Sequence, residues 1–167
     1  DYVAQASSLA VPLDEQVRQL CDQLRRDPRL ARGFNLVAHS QGALVARGFI
    51  ERCGTPRAYN FISLAGPHAG VFGVPLYEAE QQGSLLGAAF AVIDHLASAR
   101  LYAPEVQRRL SFAQYWKDPF NLAAYRNASG FLRDVNNEGA APRNETYVTR
   151  LASLHTLLLV RLPARSR

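Results

Sequence analysis

Residues Asn35 to Phe49 read NLVAHSQGALVARGF, and the fold turns on how this stretch divides. Phe34, Leu36, Val37 and Ala38 form a short apolar run with little polar alternation, as in a strand buried in a parallel sheet. From Gln41 onward, Leu44, Val45, Phe49 and Arg52 recur at near-helical spacing, and Gly54 follows as a C-terminal cap. The polar junction between strand and helix is Ser40. A serine there is either an ordinary helix N-cap or the nucleophile of a Gly-x-Ser-x-Gly elbow. The elbow needs small residues two positions before and two after, because the backbone folds back on itself. Ala38 and Gly42 occupy those positions, Ala38 departing from glycine by one methyl. Small flanks, with strand and helix in the right order, favour the elbow. It predicts a strained backbone that lifts the Ser40 oxygen clear of the strand, with the Gln41 N–H as half of an oxyanion hole.

Upstream, LDEQVRQLCDQLRR places Val17, Leu20, Cys21 and Leu24 on one helical face, with acids in the first turn and arginines in the last. Asp27-Pro28 stops that helix. Downstream, Tyr59 to Gly66 reads as a second buried strand, so the helix between the two strands makes a βαβ unit with a right-handed crossover. GPHAGVFGVP (residues 66–75) is then a long loop. Residues 81–150 read as helical pieces, QQGSLLGAAFAVIDHLASAR, PEVQRRLSFAQYW, FNLAAY, FLRDVNNE and NETYVTRLASL, before HTLLLVRLP (155–163) gives a third strand. The class is α/β. Residues 1–66 and 151–167 make a partial core of parallel strands, and 67–150 a helical cap inserted over it.

The net charge of +5 is carried almost wholly by arginines scattered through helix-like segments, with one dense group at RRDPRLAR, Arg25 to Arg32. A nucleic-acid binder concentrates its charge on one face with aromatics between, so that class is disfavoured. The longest apolar run, Leu85 to Ile93, is far shorter than the about 20 residues that cross a bilayer. Neither Cys21 nor Cys53 lies in a Cys-x-x-Cys pair, which leaves a buried thiol pair or one disulfide. No metal-ligand spacing and no cofactor motif is present. NAS at Asn127 and NET at Asn144 match the N-glycosylation pattern and lean toward an oxidising, secretory compartment. The chain contains no methionine, as expected of a processed product or a fragment.

A serine nucleophile needs a histidine base and an acid to orient it, in the chain order Ser, Asp or Glu, His. His68 lies in the Gly/Pro loop, His95 inside a helical segment beside Asp94, and His155 at the opening of a strand. None fits the loop position that the elbow fold gives its base. The least poor set is His155 with Asp118 or Asp134.

The segments FNLVAHSQGALVARGFIERC, FISLAGPHAGVFGVP, QYWKDPF, YRNASGFL and NNEG…NETYVTRLASL resemble, in order, the pattern of lysosomal palmitoyl-protein thioesterases, from about Val17 to Arg161. The resemblance implies an α/β-hydrolase core with a helical insertion. It implies a serine thioesterase that removes long-chain acyl groups, palmitate among them, from cysteines of lipidated proteins or peptides, without a cofactor and in the lysosome, vacuole or secretory route. By the same comparison Ser40 is the nucleophile and Cys21–Cys53 a disulfide. Asn127 and Asn144 match family sequons. The triad Asp and His fall beyond HTLLLVRLP, and the second oxyanion donor falls before Asp1. A further cysteine pair of the family is absent near PLYEAEQQGSLL. Two alternatives stay open at this stage: a general lipase or carboxylesterase, and a catalytically dead piece that at most binds acyl chains.

Overall fold

The computed structural model describes residues 8–73 and 98–161. The chain divides into two compact units, one of residues 13–68 and 142–167, the other of residues 1–12 and 69–141. The expected helical segment QQGSLLGAAFAVIDHLASAR lies outside the described residues except at its end.

The first unit holds the sheet. Helix α1 spans Leu13–Arg25, with Asp14 and Glu15 in its first turn and Arg25 in its last, each complementing the helix dipole. Asp27 and Pro28 open a short 3-10 turn, and strand β1 follows at Phe34–His39. Helix α2 starts immediately at Gln41–Gly48 and widens into a π turn, Phe49–Cys53. Gly54 ends it at φ 67, a left-handed position that a side chain resists. Strand β2 is Ala58–Leu64, helix α7 is Glu145–Ala152, and strand β3 is Thr156–Val160. The order is β1-β2-β3 and both pairings are parallel. Strand, helix and strand in this parallel arrangement are the expected α/β architecture, part of an α/β-hydrolase-like core.

Register fixes which side chains share a face. Leu36 pairs with Phe61, and Ala38 with Ser63, and these pair onward with Leu157 and Leu159. Phe34, on the same side, meets the Phe49 ring of the π turn at 5.9 Å. The helices therefore cover the Phe34–Leu36–Ala38 face, where Phe49, Phe61, Ala43 and Leu44 are fully enclosed.

The expectation of strands buried on both faces is corrected. Burial along β1 alternates, Val37 is 60% exposed, and all of β3 is exposed. An unbroken apolar run needs a cover on each side, and among the described residues of this unit only one side of the sheet has helices on it. A polar row runs from Asn35 of β1 to Asn60 of β2 and on to His155, the residue just before β3.

The second unit is built of short helices: α3 Ser98–Leu101, α4 Pro104–Gln107, a 3-10 turn Phe112–Tyr115, α5 Leu122–Ala128 and α6 Leu132–Val135. Helices this short do not hold themselves, so side-chain bonds to the backbone do much of the fastening. Buried Gln107 donates to the carbonyls of Leu101 and Ala113 and accepts from Gly130 N–H. Glu138 gathers Lys117 (2.7 Å), the Tyr125 hydroxyl (2.5 Å) and Asn136.

Candidate active site

Strand β1 ends where its last backbone pairing meets the start of α2, and Ser40 is the one residue between them. Its N–H donates to the Leu64 carbonyl at 2.9 Å, and its own carbonyl accepts from Ala43 N–H at 3.0 Å. Holding both bonds forces φ 52 and ψ −132, a region that a side chain occupies only under strain. The Ser40 side chain makes no capping bond to the helix and is exposed. An N-cap serine would sit in the extended region and accept from the second or third helical N–H. Ser40 does neither. Gln41 opens α2 directly beside it, where the positive end of the helix dipole lies.

Below the elbow the chain turns sharply after β2. Ala65 adopts φ 51 and donates to the Val160 carbonyl, and His68 N–H donates to the Gly66 carbonyl. This folds the His68 ring back on β2, where Nε2 lies 2.8 Å from the Ser63 hydroxyl. Burial, then the nearby Arg47 charge, pushes the His68 pKa down to about 4, so the ring is neutral at physiological pH. A Cβ on Gly66 would lie 2.4 Å from Ser63 Oγ and 2.7 Å from both Ala43 Cβ and His68 Nε2. Only glycine fits there. The sequence assigns Ser63 and Gly66 no role, because a serine and a histidine five apart across a Gly-Pro turn form no recognised motif.

His155 is not placed to serve Ser40. It stacks on Tyr59 at 5.0 Å, and its Nδ1 meets Asn60 and Thr156. Asn60 and Thr156 are paired at one end of the sheet, and Ser40 follows the His39–Leu64 pair at the other. The two are roughly five or six strand residues apart, on the order of 15–20 Å. Asp118, in the helical unit, spends Oδ1 on Phe120 N–H, and Asp134 sits within α6. Among the described residues of the sheet unit no histidine reaches the Ser40 hydroxyl by a hydrogen bond.

A disulfide joins Cys21 of α1 to Cys53 of the π turn and so ties together the helices before β1 and after it. Asn144 caps α7, its Oδ1 accepting from Thr146 N–H at 3.1 Å and Tyr147 N–H at 3.4 Å. Asn127 is exposed at the end of α5. The long loop after β2 is described only to Gly73, with Phe72 against Trp116 and the exposed Phe120. SLLGAAFAVI lies outside the described residues.

Comparison with known proteins gives a consistent result. The family model described as palmitoyl protein thioesterase matches residues 2–165. The chain is 37% identical over 152 residues to palmitoyl-protein thioesterase 3 of Dictyostelium discoideum, covering 91% of this chain and 48% of that protein. It is 38% identical over 148 residues to palmitoyl-protein thioesterase 1 of Caenorhabditis elegans, covering 89% and 47%. It is 30% identical over 153 residues to the lysosomal thioesterase PPT2 of Bos taurus, covering 89% and 47%. The chain spans about half the length of the curated relatives it matches.

Proposed function

The chain belongs to the palmitoyl protein thioesterase family, and from that premise we propose that it carries the nucleophile of a serine thioesterase acting on long-chain acyl-cysteine. The observation that bears the proposal is the Ser40 elbow: a non-glycine residue at φ 52 between a parallel strand and a helix, its hydroxyl exposed and uncommitted to capping. Strain of that kind costs of order 1–3 kcal/mol and persists only where the surrounding structure imposes it.

In the proposed reaction a histidine base takes the Ser40 proton as Oγ attacks the thioester carbonyl carbon. The new O–C bond forms and the tetrahedral oxyanion rests on Gln41 N–H and a second donor. The C–S bond then breaks, and the cysteine sulfur leaves with the proton from the histidine. Water, deprotonated by the same histidine, adds to the acyl-serine carbonyl; the C–Oγ bond breaks, the histidine returns the proton to Ser40 Oγ, and the fatty acid is released. The base and its carboxylate partner are assigned to sequence outside these 167 residues. Two facts support this: His155 lies at the far end of the sheet, and the relatives are about twice as long. One oxyanion donor is typically worth about 3–4 kcal/mol in the transition state.

We assign the substrate as an S-acylated protein or peptide. The disulfide and the two sequons accord with a secretory or lysosomal setting, and no helix of the described residues is long and apolar enough to cross a membrane. Asn127 and Asn144 are the proposed glycan sites.

The test is labelling of the full-length protein with a serine-directed fluorophosphonate, followed by turnover of palmitoyl-cysteine peptide. Loss of both in Ser40→Ala is expected. Labelling that persists in that variant would overturn the assignment, and preference for oxygen esters over the thioester would reassign the protein to the general carboxylesterases.

A further inference from the structure

Ser63 and His68 form a hydrogen-bonded pair of their own next to the elbow, Ser63 enclosed and the His68 ring half-buried, and the reaction above does not use it. Ser63 is 1% exposed on the helix-covered face of β2, directly across from Ala38 of β1. His68 Nε2 reaches its hydroxyl at 2.8 Å, and the ring stands edge-on to Phe61 at 6.2 Å. The Ser63 hydroxyl is too deep to receive an acyl chain as a second nucleophile. Its neighbours suggest another role.

Three links run from the pair to Ser40. Gly66, the pivot of the turn that returns His68 to Ser63, packs so tightly on Ala43 that a single added carbon would lie 2.7 Å from the Ala43 methyl. Ala43 is in the first turn of α2, and its N–H holds the Ser40 carbonyl. Leu64, next to Ser63, holds the Ser40 N–H. The same turn is pinned on its other side by Ala65 N–H to Val160. Both backbone groups that force Ser40 into its strained φ therefore rest on residues adjoining the Ser63–His68 pair.

We propose that His68 is a positioning residue: through its bond to Ser63 it wedges the β2 turn against α2 and sets where the Ser40 oxygen stands relative to the acyl carbon. This rests on the hydrolase reading of Ser40. The clamp works with a neutral imidazole, which burial and Arg47 enforce, Arg47 itself being tied to Glu51 on the next turn of α2. Misplacement of reacting atoms by about 1 Å is enough to cost on the order of 100-fold in rate, so a small shift of this wedge has a large lever.

The test uses the full-length enzyme with active sites counted by fluorophosphonate labelling, so that misfolded molecules are excluded. Ser63→Ala, which removes one oxygen and keeps the packing, and His68→Leu should each lower kcat per labelled site by about 10- to 100-fold with KM little changed. The double variant should lose no more than the worse single one, and His68→Gln, which can still bond Ser63, should recover most of the rate. Unchanged kcat per labelled site in Ser63→Ala overturns the inference. So does a fully additive double variant, or a KM effect alone. Failure of the Ser40 assignment itself is read separately, as labelling that survives Ser40→Ala.

Discussion

Arg47 Nε and Glu51 Oε1 meet at 2.8 Å on successive turns of the helix that follows the elbow, with the Glu51 carboxylate almost wholly enclosed. The attraction between the two ions offsets part of the cost of taking each out of water. A buried charge deprived of this partner keeps the desolvation penalty and loses that attraction. Arg47→Met is therefore expected to destabilise the protein by about 3 kcal/mol or more. Arg47→Met/Glu51→Met should recover a large part of that. Urea unfolding of the two variants measures it, and a double variant no better than the single would show that the pair is not acting as a unit.

The strain at Ser40 bears on stability in the opposite sense to the chemistry proposed for it. Glycine occupies φ 52 at little steric cost, whereas alanine retains the whole penalty. Ser40→Gly should be more stable than Ser40→Ala by roughly 1 kcal/mol, although the proposed reaction expects both to be inactive. Thermal melting of the two side by side is the measurement. Equal midpoints would mean the elbow is not strained.

How much of this was legible beforehand differs by element. Leu13–Arg25 and the strand-serine-helix junction were readable because each is specified locally: a stripe at helical period, acids and arginines at the proper ends, small residues on either side of Ser40. What escaped was set by contacts distant in sequence. FNLVAH has the composition of a strand covered on both sides, yet whether a cover exists is decided by other segments, and Val37 faces outward. His155 looked like a possible base until the register of β2 with β3 placed it at the opposite end from Ser40. The Ser63–His68 pair depends on the turn at Ala65 to Pro67, whose left-handed alanine no composition rule anticipates.

The Cys21–Cys53 bond closes a loop of 32 residues that contains β1, Ser40 and all of α2. By chain entropy a crosslink of that span stabilises by roughly 3–4 kcal/mol, chiefly through the unfolded chain. The Cys21→Ala/Cys53→Ala variant should lose about that much in a denaturant titration. Its effect on labelling of molecules that remain folded should be small, since neither sulfur touches the elbow. A loss under 1 kcal/mol would indicate an unfolded state already compact across this segment.

Acid acts on the two units through different groups. In the sheet unit, His68 has its pKa pushed down to about 4 by burial and by Arg47. The unfolded chain therefore binds a proton between about pH 6.5 and 4 that the folded chain refuses. Stability from this group is complete above about pH 6.5, declines as pH falls toward 4, and is flat below. The ring is partly open to solvent, so screening reduces the total to something on the order of 1–2 kcal/mol. In the helical unit, burial works to raise the Glu138 pKa, but its bonds from Lys117, Tyr125 and Asn136 outweigh that and hold it below the usual carboxylate value. Its contribution is present above about pH 4.5 and disappears as pH falls through the lowered value. Urea midpoints taken from pH 7 to pH 3.5 should therefore show a shallow decline that steepens near the acid end. His68→Gln should flatten the decline above pH 4.5 and leave the steeper part in place. Arg47→Met, which removes a charge opposing protonation of His68, should also flatten the upper part. If neither substitution alters the slope between pH 6.5 and 4.5, His68 is not the group that titrates there.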